Sequence, residues 1–166
     1  MLPFVETALE LFERMRSLDL VEETRAGGYM TVQDLTDGLA EPLLVARICH
    51  DEGHLTKEQS SDYSGFSREK LDRIAHYYMV DPSRSKSSWQ SRDEHAKKYG
   101  GAIRAGTYIL SFSGLPEQAD EALMLALAVK LGLLALREAS EIAEISTNGI
   151  YWAFADKARL RDVKRR

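Results

Sequence analysis

Apolar residues are densest between Ala122 and Leu136, where Lys130 is the one charged residue. They recur there at every helical phase rather than along one stripe, which predicts a helix covered on most sides. The run is shorter than the ~18–20 apolar residues that a membrane span needs, so it reads as a core helix and predicts no membrane partner. Just before it, Thr107–Phe112 is rich in β-branched and aromatic residues and lies between Gly106 and Gly114, the composition of a strand bounded by turns. Gly114-Leu115-Pro116 stops that strand, and Glu117, Asp120 and Glu121 place negative charge near the start of the helix that follows.

Upstream, Phe4, Ala8, Leu11, Phe12, Met15 and Leu18 recur at helical spacing between charged residues, predicting an amphipathic helix over residues 3–18. Tyr29–Val32 with Leu35 reads as a first short strand, its register blurred by Asp34, Asp37 and Gly38. Leu43–Cys49 is a clearer strand, and His50-Asp51-Glu52-Gly53 predicts a tight hairpin with His54–Lys57 returning. Ser60–Gly65 has the composition of a loop, Ser67 is placed to cap the next helix, and that helix runs to about Val80 before Asp81-Pro82. Residues 83–99 read as a long polar loop or a short surface helix. Glu138–Ile145 continues the central helix up to Asn148-Gly149, and a last amphipathic segment carries Ile150, Trp152, Phe154, Leu160 and Val163. The clearest neighbouring strands are joined by hairpin-length turns, so the fold class is α+β: a single domain with an antiparallel sheet flanked by helices and a C-terminal helical extension.

The 166 residues suit one domain. A formal net charge of -4 argues against a general affinity for nucleic acid, although the segment from Asp156 to Arg166 holds six basic and two acidic residues, leaving about −8 on the rest. Cys49 is the single cysteine, which rules out an intramolecular disulfide and, with no apolar signal segment evident, points to a reducing, cytoplasmic home.

Candidate chemistry gathers around the predicted hairpin. His50 and His54 are four apart and would share a face only on a helix, which Gly53 opposes; the H-E-x-x-H pattern is absent, and no metal site is expected. Ser113-Gly114 lacks the glycine two residues before the serine of a G-x-S-x-G elbow, which disfavours a hydrolase and leaves no catalytic residue assigned; Ser113 reads instead as a hydrogen-bond partner for the amides of the next helix. Cys49, at the end of an apolar strand, reads as a small buried hydrophobe. Arg68 and Lys70, near the expected start of their helix, are placed to meet carboxylates or phosphates of a ligand.

The hairpin Asp51-Glu52-Gly53-His54-Leu55, the helix carrying Lys70, the Gly100-Gly101-Ala102-Ile103 segment, and Ser111-Phe112-Ser113-Gly114-Leu115-Pro116 with Asp120 and its Ala-rich helix resemble, in order, segments of the GlcG/HbpS-like haem-binding family. The resemblance covers about Pro3–Leu136 and implies a domain over residues 1–137 with a five-stranded antiparallel sheet, leaving 138–166 as an extension packed on the domain or a neighbouring subunit. It further implies a homo-oligomer and a small-molecule ligand, haem or a related tetrapyrrole. His54 would then be the axial ligand beside an apolar wall such as Leu55 or Phe66, with His50, His76 or His95 as replacements and Lys70 and Arg68 as further ligand contacts. Three departures bear on the ligand: Glu52 stands where a glycine is common, the segment between Ile103 and Thr107 is short, and the chain continues past Arg137. Two other classes stay open: an enzyme using His50 and His54 as acid and base, and an oligomeric interaction subunit.

Overall fold

The computed structural model describes residues 3–37, 41–51, 53–158 and 160. In chain order its elements are α1 (Phe4–Ser17), β1 (Gly27–Asp34), β2 (Leu44–Cys49), α2 (Lys57–Val80), β3 (Ala102–Ala105), β4 (Tyr108–Ser113), α3 (Glu117–Lys130), α4 (Leu136–Ser146) and α5 (Gly149–Ala158). The strands form one antiparallel sheet in the order β2-β1-β4-β3. The architecture is therefore α+β, with five α-helices and four strands among the described residues.

Strand alternation gives the sheet two different faces. Met30, Val32, Ile48, Ile103, Leu110 and Phe112 point into the main core, where they meet α1 and α3. In α3 every residue from Ala119 to Val129 is buried, with α1, β4 and α5 among its neighbours. Tyr151 and Phe154 of α5 and Ala139, Ile142 and Ala143 of α4 belong to the same core. The opposite face is covered by α2 and is far more polar: Leu71, Ile74, Ala75, Ala102 and Ile109 form a small cluster beside buried Thr31, Gln33, Ser67 and Ser111. Ser67 Oγ donates to Thr31 Oγ1 at 2.9 Å, and Ser111 Oγ donates to the Ser67 carbonyl at 2.7 Å. These bonds satisfy hydroxyls whose burial would otherwise carry a desolvation penalty.

Among the described residues a fifth strand is absent, for two local reasons. His54–Lys57 does not return along β2: Thr56 and Gln59 form a reciprocal capping box, Thr56 Oγ1 accepting from the Gln59 amide and Gln59 Oε1 from the Thr56 amide, both at 3.0 Å, and the chain turns into helix at Lys57. Ser60–Gly65, which looks loop-like, therefore forms the second and third turns of α2, and Ser67 is an interior helix residue rather than a cap. At the other edge, Ser87 makes only an isolated bridge to Ile103, and the Lys86 carbonyl accepts from the Arg104 amide at 3.0 Å. That segment covers β3 without becoming a strand.

The central helix is also shorter than its apolar run. α3 ends at Lys130 because Gly132 adopts a left-handed φ of 70° and the Leu133 amide returns to the Ala128 carbonyl, so Leu136–Ser146 is a separate helix. At the α4–α5 junction Asn148 Oδ1 accepts from the Tyr151 amide at 3.0 Å. The strand end is similarly constrained: a Cβ on Gly28 would stand 2.0 Å from the Ser113 carbonyl oxygen, a distance only glycine permits. Gly38 of the first strand's expected surroundings, Glu52 of the expected hairpin, and the basic residues from Arg161 onward with Val163 lie outside the described residues.

Candidate functional site

An open cleft of about 790 Å³ lies between α2 and the segment from Arg84 to Lys98. Its size falls within the ~300–1,000 Å³ of small-molecule sites. α2 supplies one wall through side chains on the flank turned away from the sheet, running from Gly65 to Tyr77. The facing wall includes a short 3-10 turn at Ser88–Ser91 and is held from the cleft side by Arg73. Arg73 donates from Nη1 to the Ser88 carbonyl at 3.1 Å and the Ser91 carbonyl at 2.9 Å, and from Nη2 to the Tyr99 carbonyl, while its Nε faces Glu69 Oε1 at 2.7 Å. A planar guanidinium with five donors suits this task, because it satisfies several loop carbonyls at once.

The same wall is gripped from behind by a buried carboxylate. Glu121 of α3 accepts from Ser87 Oγ at 2.6 Å, from Asn148 Nδ2 at 3.0 Å and from Ser146 Oγ, tying the 87–91 turn to the α4–α5 junction. Burial pushes its carboxyl above the ordinary value, and the hydrogen bonds from Asn148, Ser146 and Ser87 offset that only in part. A raised folded-state pKa means that the folded chain holds this proton more tightly than the unfolded one, so its contribution to stability is lost as pH rises. Glu121→Gln should remove the titration while the Ser87 hydroxyl turns to accept from the new amide. From about pH 4 upward, the wild type is expected to lose stability relative to this variant, as read from urea midpoints at successive pH values. Parallel midpoints for the two proteins would overturn the assignment.

The four residues expected at the ligand are dispersed. Arg68 lines the cleft and pairs with Asp72 at 2.9 Å on the exposed surface of α2. His54 lines a separate hollow of about 260 Å³ with Gln59, Tyr63 and the backbone at Gly27 and Gly114. His50 packs against Gly53, where a Cβ would stand 2.9 Å from the imidazole Cδ2. Lys70 does not reach a surface site. Its Nζ is buried, 2.9 Å from Asp120 Oδ2 and 2.8 Å from the Phe112 carbonyl. Asp120 Oδ1 in turn accepts from the Leu115 amide at 2.9 Å, in the turn before α3. Burial pushes the Asp120 carboxyl up to about 7 against the opposing pull of the Lys70 ammonium and the Leu115 amide.

The hollow at His54 does not fit a haem. It is smaller than ordinary ligand pockets, and Glu22, Thr24, Arg25 and Gln59 make its lining polar. Of the two expected apolar walls, Leu55 lines that hollow with His54, whereas Phe66 stands edge-on to Tyr99 at 5.5 Å and is not among its residues. Among the described residues, no group of three or more His, Cys, Asp or Glu side chains converges to hold a metal ion, and no helix is long and apolar enough to cross a membrane.

Sequence reasoning missed Arg73, Arg84 and Lys98. The signal for the first was the spacing of Arg68 with Asp72 and Glu69 with Arg73, two i,i+4 pairs on consecutive residues that mark one charged flank of a helix. The other two come from a segment with no periodicity to read. No family model, no curated protein and no solved structure matches the chain.

Proposed function

We propose that the protein binds a small polar molecule, as a GlcG/HbpS-like ligand-binding protein, and that the ligand lies in the cleft between α2 and the 84–98 segment. The cleft itself carries this reading: its volume of about 790 Å³ suits a metabolite, and Arg68, Arg84 and Lys98 line it. A protein of this kind recognises its ligand with few placed polar groups on a rigid support, and the support here is a 24-residue helix braced by Arg73.

A thermal-shift panel of carboxylates, phosphate esters and haemin tests it. The expected result is a ligand whose apparent affinity falls about tenfold in Arg68→Glu, the loss of roughly one charge-assisted contact, and is unchanged in His54→Ala. Loss in His54→Ala with no change in Arg68→Glu would overturn the reading.

Haem or a related tetrapyrrole is the second reading, favoured by one observation: exposed His76 lines the cleft together with Arg68 and Arg84, an imidazole beside two cations suited to carboxylates. Tyr77 is the one ring in the lining besides that imidazole, so the faces of a macrocycle would meet mainly charged side chains. A Soret band that shifts in His76→Ala would favour the tetrapyrrole over the more polar ligand.

A further inference from the structure

Three of the arginines lining the cleft are held by carboxylates. Arg68 pairs with Asp72 at 2.9 Å, Arg73 with Glu69 at 2.7 Å and Arg92 with Glu117 at 2.8 Å. Arg84 is the exception: among the described residues no carboxylate stands within ion-pair distance of its guanidinium. Asp93 and Lys98 also lack a charged partner by that measure. Their backbones bridge one another, the Lys98 amide donating to the Asp93 carbonyl at 2.8 Å and the Asp93 amide to the Lys98 carbonyl at 2.9 Å. These opposite charges arise from directly facing positions, so that corner of the wall favours neither sign.

Arg84 is nevertheless fixed in place. Asp81-Pro82 ends α2, and the single 3-10 turn Pro82–Arg84 that follows is closed by the Arg84 amide on the Asp81 carbonyl at 3.0 Å and the Ser85 amide on the Pro82 carbonyl at 3.2 Å. Buried Ser85 anchors the end of this turn, donating from Oγ to the Pro82 carbonyl at 2.7 Å and accepting from Arg104 Nε at 3.0 Å. The Arg84 guanidinium carbon then stands 4.3 Å from the centre of the Tyr77 ring, and Nη2 donates to the Gln90 carbonyl at 3.2 Å. That bond uses one donor of the fork, and the exposed side chain leaves the rest to solvent. The His76 imidazole stands edge-on to the same Tyr77 ring at 5.4 Å, so Arg84 and His76 flank one ring in the cleft lining.

Resting on the assignment of the cleft as the ligand site, we infer that its ligand carries an oxyanionic group, carboxylate or phosphate, that docks at the Arg84–Tyr77–His76 corner, with the Arg84 fork as the specificity-determining contact. The fork is already restricted by the ring and by the Gln90 carbonyl, so less side-chain freedom is lost when an oxyanion binds it. Two parallel N–H donors match the geometry of either anion, and His76 supplies a further ring donor beside them. Arg68, Arg73 and Arg92 each give part of their forks to a carboxylate and hold a second anion less well, leaving Arg68 to the remainder of the ligand. Gln90 also lines the cleft, but its side chain is spent on the Lys86 and Ser87 amides and the Ser83 carbonyl, so it holds the wall and not the ligand.

NMR titration of the full chain with phenyl phosphate, benzoate and the neutral benzamide tests the inference. Phenyl phosphate or benzoate should shift the Arg84 side-chain N–H and His76 ring signals saturably, and benzamide should bind at least about tenfold more weakly, the loss of one charge-assisted contact. The tighter of the two anions identifies phosphate or carboxylate as the preferred group. Arg84→Lys keeps the charge but loses the fork and the stacking on Tyr77, and it should weaken anion binding by about tenfold, whereas a general attraction to positive charge would leave it unchanged. Circular dichroism should be unaltered in this variant, since the side chain is exposed. Anion binding unchanged in Arg84→Lys, or benzamide binding as tightly as benzoate, overturns the inference. If the anions leave the Arg84 and His76 signals unmoved while a compound of the thermal-shift panel binds in a manner sensitive to Arg68→Glu, the Arg84 corner is wrong and the cleft remains the site. If no compound is sensitive to Arg68→Glu either, both fall.

Discussion

Leu127→Asp is expected to abolish folding rather than weaken it. Leu127 has no exposed surface and sits within a helix whose residues Ala119 to Val129 are all buried. A carboxylate placed there has no cation in the surrounding apolar cluster and no route to solvent. Its desolvation costs several kcal/mol even if the group takes up a proton, and the lost leucine adds the cost of imperfect repacking. Against a total stability of about 5–15 kcal/mol for an ordinary domain, that sum removes most or all of the margin. The variant should be insoluble or should lack a cooperative urea transition. A soluble variant melting within a few degrees of wild type would show that α3 is not the centre of the core.

Lys70→Met is the second large effect, and its origin is electrostatic. The Lys70 and Asp120 side chains are each only 2% exposed, and among the described residues the ammonium is the one cation within bonding distance of that carboxylate. Removing one member of a buried pair leaves the other without its partner, a loss of about 3–5 kcal/mol, whereas replacing both with neutral groups costs much less. Lys70→Met should therefore shift the urea midpoint strongly downward, and Lys70→Met with Asp120→Asn should recover a substantial part, because an asparagine oxygen can still accept from the Leu115 amide. The pH profile gives an independent readout. Asp120 has a folded-state pKa raised from 3.8 to about 7 by burial, so its contribution is fully present below about pH 4 and is lost as pH rises towards 7. Without the Lys70 ammonium the pKa rises further, so wild type and Lys70→Met should lose stability in parallel below about 7, and the destabilisation of Lys70→Met should grow only as pH passes about 7, where the wild-type carboxyl ionises and the variant's does not. A penalty that stays constant through and above that pH would mean that packing, not charge, accounts for the loss.

Hydrophobic periodicity made most of the fold legible. α1 repeats its apolar side at helical spacing, and Tyr108–Ser113 and α3 follow from a β-branched run stopped by Gly114-Leu115-Pro116. Errors fell where local chemistry competes with composition. Ser60–Gly65 reads as a loop because serine, aspartate and glycine are weak helix formers, yet the Thr56–Gln59 capping box starts the helix upstream and tertiary packing carries it through. The end of α3 depends on a left-handed Gly132 inside an otherwise unbroken apolar run. The candidate site was the least legible part. Lys70 reads in the sequence as a contact for a ligand's carboxylates or phosphates, and a sequence does not distinguish a lysine that meets a ligand from one that meets Asp120 fifty residues later. The cleft wall from Arg84 to Lys98 has neither a helical nor a strand period, and its shape comes from hydrogen bonds to Arg73 and Glu121, which no local pattern encodes.

The path of the Lys70 side chain has a mechanical meaning. Lys70 starts on the helix covering the polar face of the sheet and ends at a carboxylate on the helix buried against the apolar face, passing Gly101, where a Cβ would stand 2.8 Å from its Nζ and 2.7 Å from the Asp120 Cβ. The α2 layer rests on a small apolar cluster and, taken alone, would be the first to lift away in a local opening. Because the ion pair fastens it across the sheet, α2 cannot detach without stranding a charge inside the opposite layer. The two layers are thereby made to open and close together, and the cleft that α2 carries inherits the rigidity of a core in which it takes no part.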